Sequence, residues 1–106
     1  MPHYMIRASY TVSGIQGVIK GGAASRVSAV EALVGSVGGR VLSAHWAFGD
    51  DDFIGICELP DNAAAMAVAA TVGASGAASV TTTVLLTAAE VDDAISRRPE
   101  YRAPGS

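Results

Sequence analysis

Two strand-like runs joined by a short acidic segment constrain the fold of this chain more than any other feature. The runs are RVLSAHWAF and DFIGICEL, and Gly49, Asp50 and Asp51 lie between them. Apolar runs separated by so few turn-forming residues are typical of a β-hairpin. We therefore predict a hairpin over residues 40–59.

The segments before the hairpin predict a strand, a loop and a helix. Residues 4–11 mix β-branched, aromatic and polar positions, which favours a strand. Residues 13–22 contain four glycines, and because interior glycines disfavour helices, we expect a loop with one helical turn. From about Ala24, apolar residues recur at steps of three and four, which predicts an amphipathic helix that ends at Gly38 and Gly39.

The segments after the hairpin complete the order of elements. Residues 60–73 predict a helix capped by Asp61, and the valine- and threonine-rich residues 78–86 predict a strand. Thr87 and Glu90 have the spacing of a capping box, so a short helix should follow through Ser96. The order β-α-β-β-α-β is that of a ferredoxin-like α+β fold, with an antiparallel sheet and both main helices on one face. We expect one domain over residues 1–96 and a flexible C-terminal tail over residues 97–106.

The hairpin register predicts which side chains face the helices. With Asp50 and Asp51 as the turn, Phe48 lies opposite Phe53, Trp46 opposite Gly55 and Ala44 opposite Cys57. The helix-facing set from the hairpin is then uniformly apolar and comprises Leu42, Ala44, Trp46, Phe48, Phe53, Gly55, Cys57 and Leu59. Tyr4, Ile6 and Ala8 from the first strand and Val80, Thr82, Val84 and Leu86 from the last should join it.

The opposite sheet face is mixed, yet it is too apolar to be left in water. It should carry Val41, Ser43, His45, Ala47, Ile54, Ile56 and Glu58, with His3, Met5, Arg7 and Ser9 from the first strand and Thr81, Thr83 and Leu85 from the last. Large exposed apolar surfaces usually mark interfaces. We predict that the chain forms a homodimer, or a higher oligomer, through this face.

Composition excludes several classes of function. Ten acidic and seven basic residues give a net charge of −3, so the chain lacks the basic surface that nucleic-acid binding requires. The N-terminus does not resemble a signal peptide, and no apolar run is long enough to span a bilayer, so we expect no membrane association and a cytoplasmic location. The glycines of residues 13–22 lack the spacing of a phosphate-binding loop, and we predict no cofactor.

Three segments resemble those of one known family. YTVSGIQGV, the stretch from ALVGSVGG to DNAAAMAVA, and SVTTTVLLTAAEV follow, in order, the pattern of GYD-domain proteins. The resemblance covers roughly residues 4–95 and implies membership of the dimeric α+β barrel superfamily. The family's Gly-x-Tyr-Asp feature is matched by Gly49 and Asp52, whereas Asp51 stands at the tyrosine position, so no role of that tyrosine is carried over.

The acidic triplet is more consistent with a turn than with a metal site. Three adjacent carboxylates in a tight hairpin diverge, and no further ligand lies at a loop-like spacing, so we predict no metal. Gly49, Asp50, Asp51 and Asp52 are instead expected to form a structural turn, in which Asp52 accepts backbone N–H bonds.

A polar group on the face opposite the helices is the sharper candidate for a site. Arg7, His45 and Glu58, with Ser43 and Thr83 nearby, are candidate ligand-binding residues, and Trp46 and Phe53 would shape the wall. An arginine can bind a carboxylate or phosphate, and a histidine beside a carboxylate can perform acid–base chemistry. The alternative is a polar dimer interface in which Arg7 pairs with Glu58.

Three functions remain open from the sequence. The first is a dimeric protein that binds a small organic ligand between sheet and helices, or between subunits. The second is a cofactor-free isomerase, cyclase or monooxygenase with His45 as the catalytic base and Arg7 stabilising an anion. The third is a purely structural or oligomerisation module, which a solidly packed second face would favour.

Overall fold

The computed structural model describes all 106 residues of the chain. It contains four strands and four helices. The elements, in chain order, are β1 (His3–Tyr10), α1 (Val12–Gly21), α2 (Ala23–Ser36), β2 (Arg40–Trp46), β3 (Phe53–Glu58), α3 (Asn62–Ala74), β4 (Ala78–Leu85) and α4 (Ala88–Ser96). No helix has the length and apolar character needed to cross a membrane.

The strands form one antiparallel sheet in the order β2-β3-β1-β4. This order, with helices between β1 and β2 and between β3 and β4, confirms the predicted ferredoxin-like α+β fold. The two central strands are β1 and β3, and every second residue of each is buried against α2 and α3.

Side-chain caps begin three of the helices. Thr11 accepts a hydrogen bond from Gly14 N, and Asp61 accepts one from Ala64 N. At α4 the predicted capping box is present, with Thr87 and Glu90 bonding each other's backbone N–H groups. These contacts satisfy backbone donors that a helix start otherwise leaves free.

The core lies between the sheet and the helices in two adjoining clusters. The larger contains Tyr4, Ile6, Val34, Cys57, Leu59, Ala65 and Val68, and the smaller contains Ala8, Phe53 and Ala78. Cys57 is 2% exposed, and burial raises the pKa of its thiol. The thiol therefore behaves as a small apolar side chain rather than as a nucleophile.

The hairpin register differs from the predicted one by two residues. Trp46 lies opposite Phe53, and Ala44 lies opposite Gly55. The connecting loop is longer than a two-residue turn because Asp52 is bound to β1: its N–H donates to Ala8 O at 2.8 Å. Since the shift is even, Trp46 and Ala44 still face the helices, whereas Phe48 lies in the loop fully exposed and outside the core.

A β-bulge corrects the predicted faces of β2. The register shifts between Val41 and Ser43, so Val41 packs against the core while Leu42 is 43% exposed. One extra residue in a strand reverses the side-chain alternation at that point. At the other edge, Leu86 lies beyond β4, and both Leu86 and Val84 are largely exposed instead of buried in the core.

Residues 12–21 form a full helix, α1, instead of the predicted loop. Its first turn is tied to the segment before β4: Thr11 N donates to Ala77 O at 2.9 Å, and Thr11 Oγ1 donates to Gly76 O at 2.9 Å. Gly22, with a φ of 90°, separates α1 from α2. Tertiary anchoring thus outweighs the weak helix propensity of the glycines.

Helix α4 extends away from the rest of the fold. It has no buried residue, and its Val91 and Ile95 are exposed. The radius of gyration is 17.0 Å, with extents of 58 × 32 × 23 Å, whereas a compact chain of this length has a radius of gyration of about 13 Å.

Candidate functional site

The sheet face that the helices leave uncovered is organised in three rows across the strands. We call it the open face. Directly paired residues share a face, and the rows, written from β4 to β2, are Thr81–Arg7–Ile54–His45, Thr83–Met5–Ile56–Ser43 and Leu85–His3–Glu58–Arg40.

The rows place the predicted polar residues on one face without bringing them together. Arg7 and His45 both pair with Ile54, so one strand lies between them, a separation of about 10 Å between backbones. Glu58 lies two rows away. Ser43 and Thr83 occupy the middle row, with Met5 and Ile56 between them.

Glu58 interacts with His3 and Arg40, not with Arg7. Its Oε1 lies 3.3 Å from His3 Nε2 and 3.3 Å from an Arg40 guanidinium nitrogen. Hydrogen bonds from these two side chains hold the pKa of Glu58 below its usual value. His3, which follows the N-terminal Met-Pro, is thus engaged in a cluster at the end of the open face.

Arg7 pairs with the acidic loop. Its guanidinium lies 3.6 Å from Asp51 Oδ2, and the Asp51 carboxylate also accepts a hydrogen bond from Ser9 Oγ at 3.4 Å. Asp51 therefore ties the loop to β1. His45 is exposed and forms no ion pair with a carboxylate.

The other residues of the acidic loop fix the backbone conformation of the connection between β2 and β3. Asp52 accepts a hydrogen bond from Tyr10 N at 2.8 Å through Oδ2, and its carbonyl accepts one from Ala47 N at 2.9 Å. Ser9 Oγ donates to the carbonyl of Asp50. Gly49 has a φ of 103°, which residues with a Cβ rarely adopt. The carboxylates of Asp51 and Asp52 are therefore engaged with different partners and do not converge on one point.

An apolar cavity lies on the other side of the sheet, between β1, β4, α2 and α3. Its volume is about 370 Å³, within the range of small-ligand sites. Apolar side chains form most of its wall, among them Ile6, Phe53, Val68, Val72 and Val80. None of Arg7, His45, Glu58, Ser43 and Thr83 lines it.

A second cavity adjoins the first. It has a volume of about 250 Å³ and lies between α1, α2 and the end of β1. The two cavities share Tyr10, Arg26 and Ala77. Arg26 thus lies where an apolar space meets a more polar one.

Aromatic packing holds Tyr10 in place at this junction. Its ring stacks on Trp46 at a centroid distance of 5.8 Å, and Trp46 meets Phe53 edge-on at 5.4 Å. The pKa of the Tyr10 hydroxyl is raised, mainly by burial. The charge of Arg26 lowers this pKa, and the charge of Asp52 raises it by less than Arg26 lowers it. At neutral pH the phenol is therefore a protonated hydrogen-bond donor.

Tyr10 and Arg26 are absent from the candidates that the sequence suggested. Tyr10 continues the inward alternation of Tyr4, Ile6 and Ala8, and Arg26 precedes Val30 by four residues, the spacing of one helix face. The sequence signal that could have identified this site was a charged residue, Arg26, on the helix face that carries the apolar stripe of α2.

Comparison with known proteins supports a family assignment. Neither the curated proteins nor the solved structures contain a match to the chain. The family model described as the GYD domain matches residues 4–95, which include the four strands, except for His3 of β1, and most of α4. The chain belongs to the GYD-domain family.

Proposed function

We propose that this protein is a homodimer of the dimeric α+β barrel kind that binds a small organic ligand. The observation that carries the proposal is the apolar cavity of about 370 Å³ between the sheet and the helices. Spaces of this size inside a protein core are normally filled by side chains. A cavity of ligand size with a few polar groups at its mouth is the usual form of a small-molecule site.

The open face supports the dimer. Its middle row carries Met5 and Ile56, and charged residues lie in the rows on either side, which is the apolar centre and polar rim of a protein interface.

In this proposal the polar residues of the open face act at the interface. Arg7, His45, Glu58, Ser43 and Thr83 would face the partner subunit rather than a ligand in the cavity. The enzymatic alternative needs a carboxylate beside His45, and Glu58 is instead engaged with His3 and Arg40. We therefore assign no reaction to His45.

The ligand site can be tested by obstructing the mouth of the cavity. Thr71 is exposed on α3 and lines the cavity, whereas the neighbouring Ala70 is exposed and lines none. We expect 1-octanol, a neutral apolar probe, to bind the native protein and to shift amide NMR signals of Val72 and Ala77. Thr71→Phe should weaken binding at least tenfold, and Ala70→Phe should leave it unchanged.

Two results would contradict this site. One is the absence of any shift at Val72 and Ala77 when 1-octanol is titrated to saturation in water. The other is equal binding by Thr71→Phe and Ala70→Phe, because the probe would then lie elsewhere.

A further inference from the structure

Arg26 is a half-buried cation without an ion-pair partner. The arginines Arg7, Arg40 and Arg97 each lie within 4.0 Å of a carboxylate. Arg26 has no such partner, although the residue is partly buried and lines both cavities. A guanidinium in such a place is suited to a carboxylate, which it can bind through two parallel hydrogen bonds.

The groups around Arg26 favour an anion at this point. Tyr10 shares both cavities with it, and the phenol can donate a hydrogen bond to the same anion. Asp52 is the acidic group whose charge also acts on Tyr10, and its effect there is smaller than that of Arg26. The Asp52 carboxylate is moreover occupied by Tyr10 N. Arg26 is also the only charged residue that lines either cavity, so the cavity walls carry a positive charge.

The larger cavity determines what else the ligand must contain. Its wall beyond Arg26 and Tyr10 is formed mainly by valine, alanine, isoleucine and phenylalanine side chains. A small hydrophilic anion would leave this space unfilled, and a neutral hydrocarbon would leave Arg26 unpaired. A molecule with one carboxylate and a compact apolar body satisfies both parts.

We propose that the two cavities form one site for a small apolar carboxylic acid, in which Arg26 and Tyr10 bind the carboxylate and the larger cavity receives the hydrocarbon. This inference rests on the proposed function, because it names the ligand class of the same cavity. It makes Arg26 the residue that distinguishes an acid from a neutral molecule of equal size.

A matched pair of probes tests the inference. Octanoate and 1-octanol have the same chain length and differ in the charged group. We expect calorimetric titration of the native protein to give octanoate an affinity about 10- to 100-fold higher, as charge-assisted hydrogen bonds would provide. Arg26→Gln should remove this preference, so that octanoate and 1-octanol bind the variant with similar affinity.

A control variant separates a specific contact from net charge. Lys20 is exposed on α1 and lines neither cavity. Lys20→Gln removes one positive charge, as Arg26→Gln does, and should retain the preference for octanoate. A measurement that needs no variant is the NMR signal of Arg26 Nε–H in the native protein, which should move with octanoate and not with 1-octanol.

The outcomes distinguish this inference from the proposed function. Equal affinity for the two probes, or a preference that persists in Arg26→Gln, would overturn the carboxylate assignment while leaving the apolar site in place. An Arg26 Nε–H signal that does not respond to bound octanoate would overturn it as well. If neither probe binds, both proposals fail.

Discussion

At the scale of single residues, Asp52 joins the loop to β1 more firmly than its neighbours do. Its carboxylate accepts the N–H of Tyr10 at 2.8 Å. We expect Asp52→Ala to lower the free energy of unfolding by about 1.5–3 kcal/mol, because a hydrogen bond to a charged group is lost. Urea denaturation would measure the change.

Asp50 provides the matched control. Its backbone carbonyl, and not its carboxylate, is the group that receives Ser9 Oγ. Asp50→Ala should therefore change the free energy of unfolding by no more than about 0.5 kcal/mol. Equal losses in the two variants would mean that the acidic loop acts only through its net charge.

Glu58 gives the protein an acid-sensitive contact. Hydrogen bonds from His3 and Arg40 lower its pKa in the folded state, so the folded protein binds this proton less readily than the unfolded chain does. The contribution to stability is complete above the unfolded pKa, about 4.3, and is lost as the pH falls through the folded pKa.

Glu58→Gln should therefore make the loss of stability below about pH 4.3 shallower than in the native protein. Unfolding free energies measured between pH 7 and pH 3 would show this. Glu100→Gln, which removes a carboxylate that forms no ion pair, should leave the slope unchanged. A steeper slope in Glu58→Gln would contradict the sign of the shift.

At the scale of elements, α1 depends on where each glycine lies. A Cβ at Gly14 would overlap the carbonyl oxygen of Ala77 and lie 2.9 Å from its carbonyl carbon, whereas a Cβ at Gly17 meets no atom within 4 Å. We expect Gly17→Ala to stabilise the protein by up to about 1 kcal/mol through helix propensity. Gly14→Ala should destabilise it, because α1 must move away from Ala77.

Thermal unfolding of the two variants would test this contrast. The same substitution is made in the same helix, so differences in the unfolded chain cancel to first order. Stabilisation by both variants would show that the contact between Gly14 and Ala77 does not limit the position of α1.

The sequence predicted the elements with regular periodicity and missed those decided by distant contacts. The alternation of β1, the apolar stripe of α2 and the capping box of α4 are local patterns, and the structure confirms them. Helix α1 depends on Ala77, and the hairpin register depends on the bond between Asp52 and Ala8. Neither partner is close in sequence, so no local pattern could reveal the contact.

The candidate site was harder to predict than the fold. The alternation of side chains along each strand correctly placed Arg7 and His45 on one face. The same alternation carries no information on the row across the sheet in which a residue lies. Glu58 therefore was grouped with Arg7, although Asp51 is the nearer carboxylate. Arg26 lies on a helix, and its position at a cavity depends on how α2 and β1 pack.

At the scale of the whole molecule, the open face should control association. Ile56 lies in the middle row of that face, and Ile19 is 79% exposed on α1. We expect the native protein to be a dimer and Ile56→Arg to be a monomer, because a charge without a partner would be buried at the interface. Ile19→Arg should remain a dimer.

Sedimentation equilibrium would give the masses directly, and circular dichroism would show that each variant is folded. A native protein that is monomeric at all concentrations would rule out the dimer. Dissociation by Ile19→Arg but not by Ile56→Arg would place the interface on α1 instead.

The projecting helix α4 also affects how the size of this protein is read in solution. A radius of gyration of 17.0 Å is that of a compact chain of about 220 residues, roughly twice the length of this one. A single subunit would therefore elute from a gel-filtration column close to the position calibrated for a globular dimer. Elution volume and true molar mass diverge for a molecule of this shape, and only a method that weighs the particle can count its subunits.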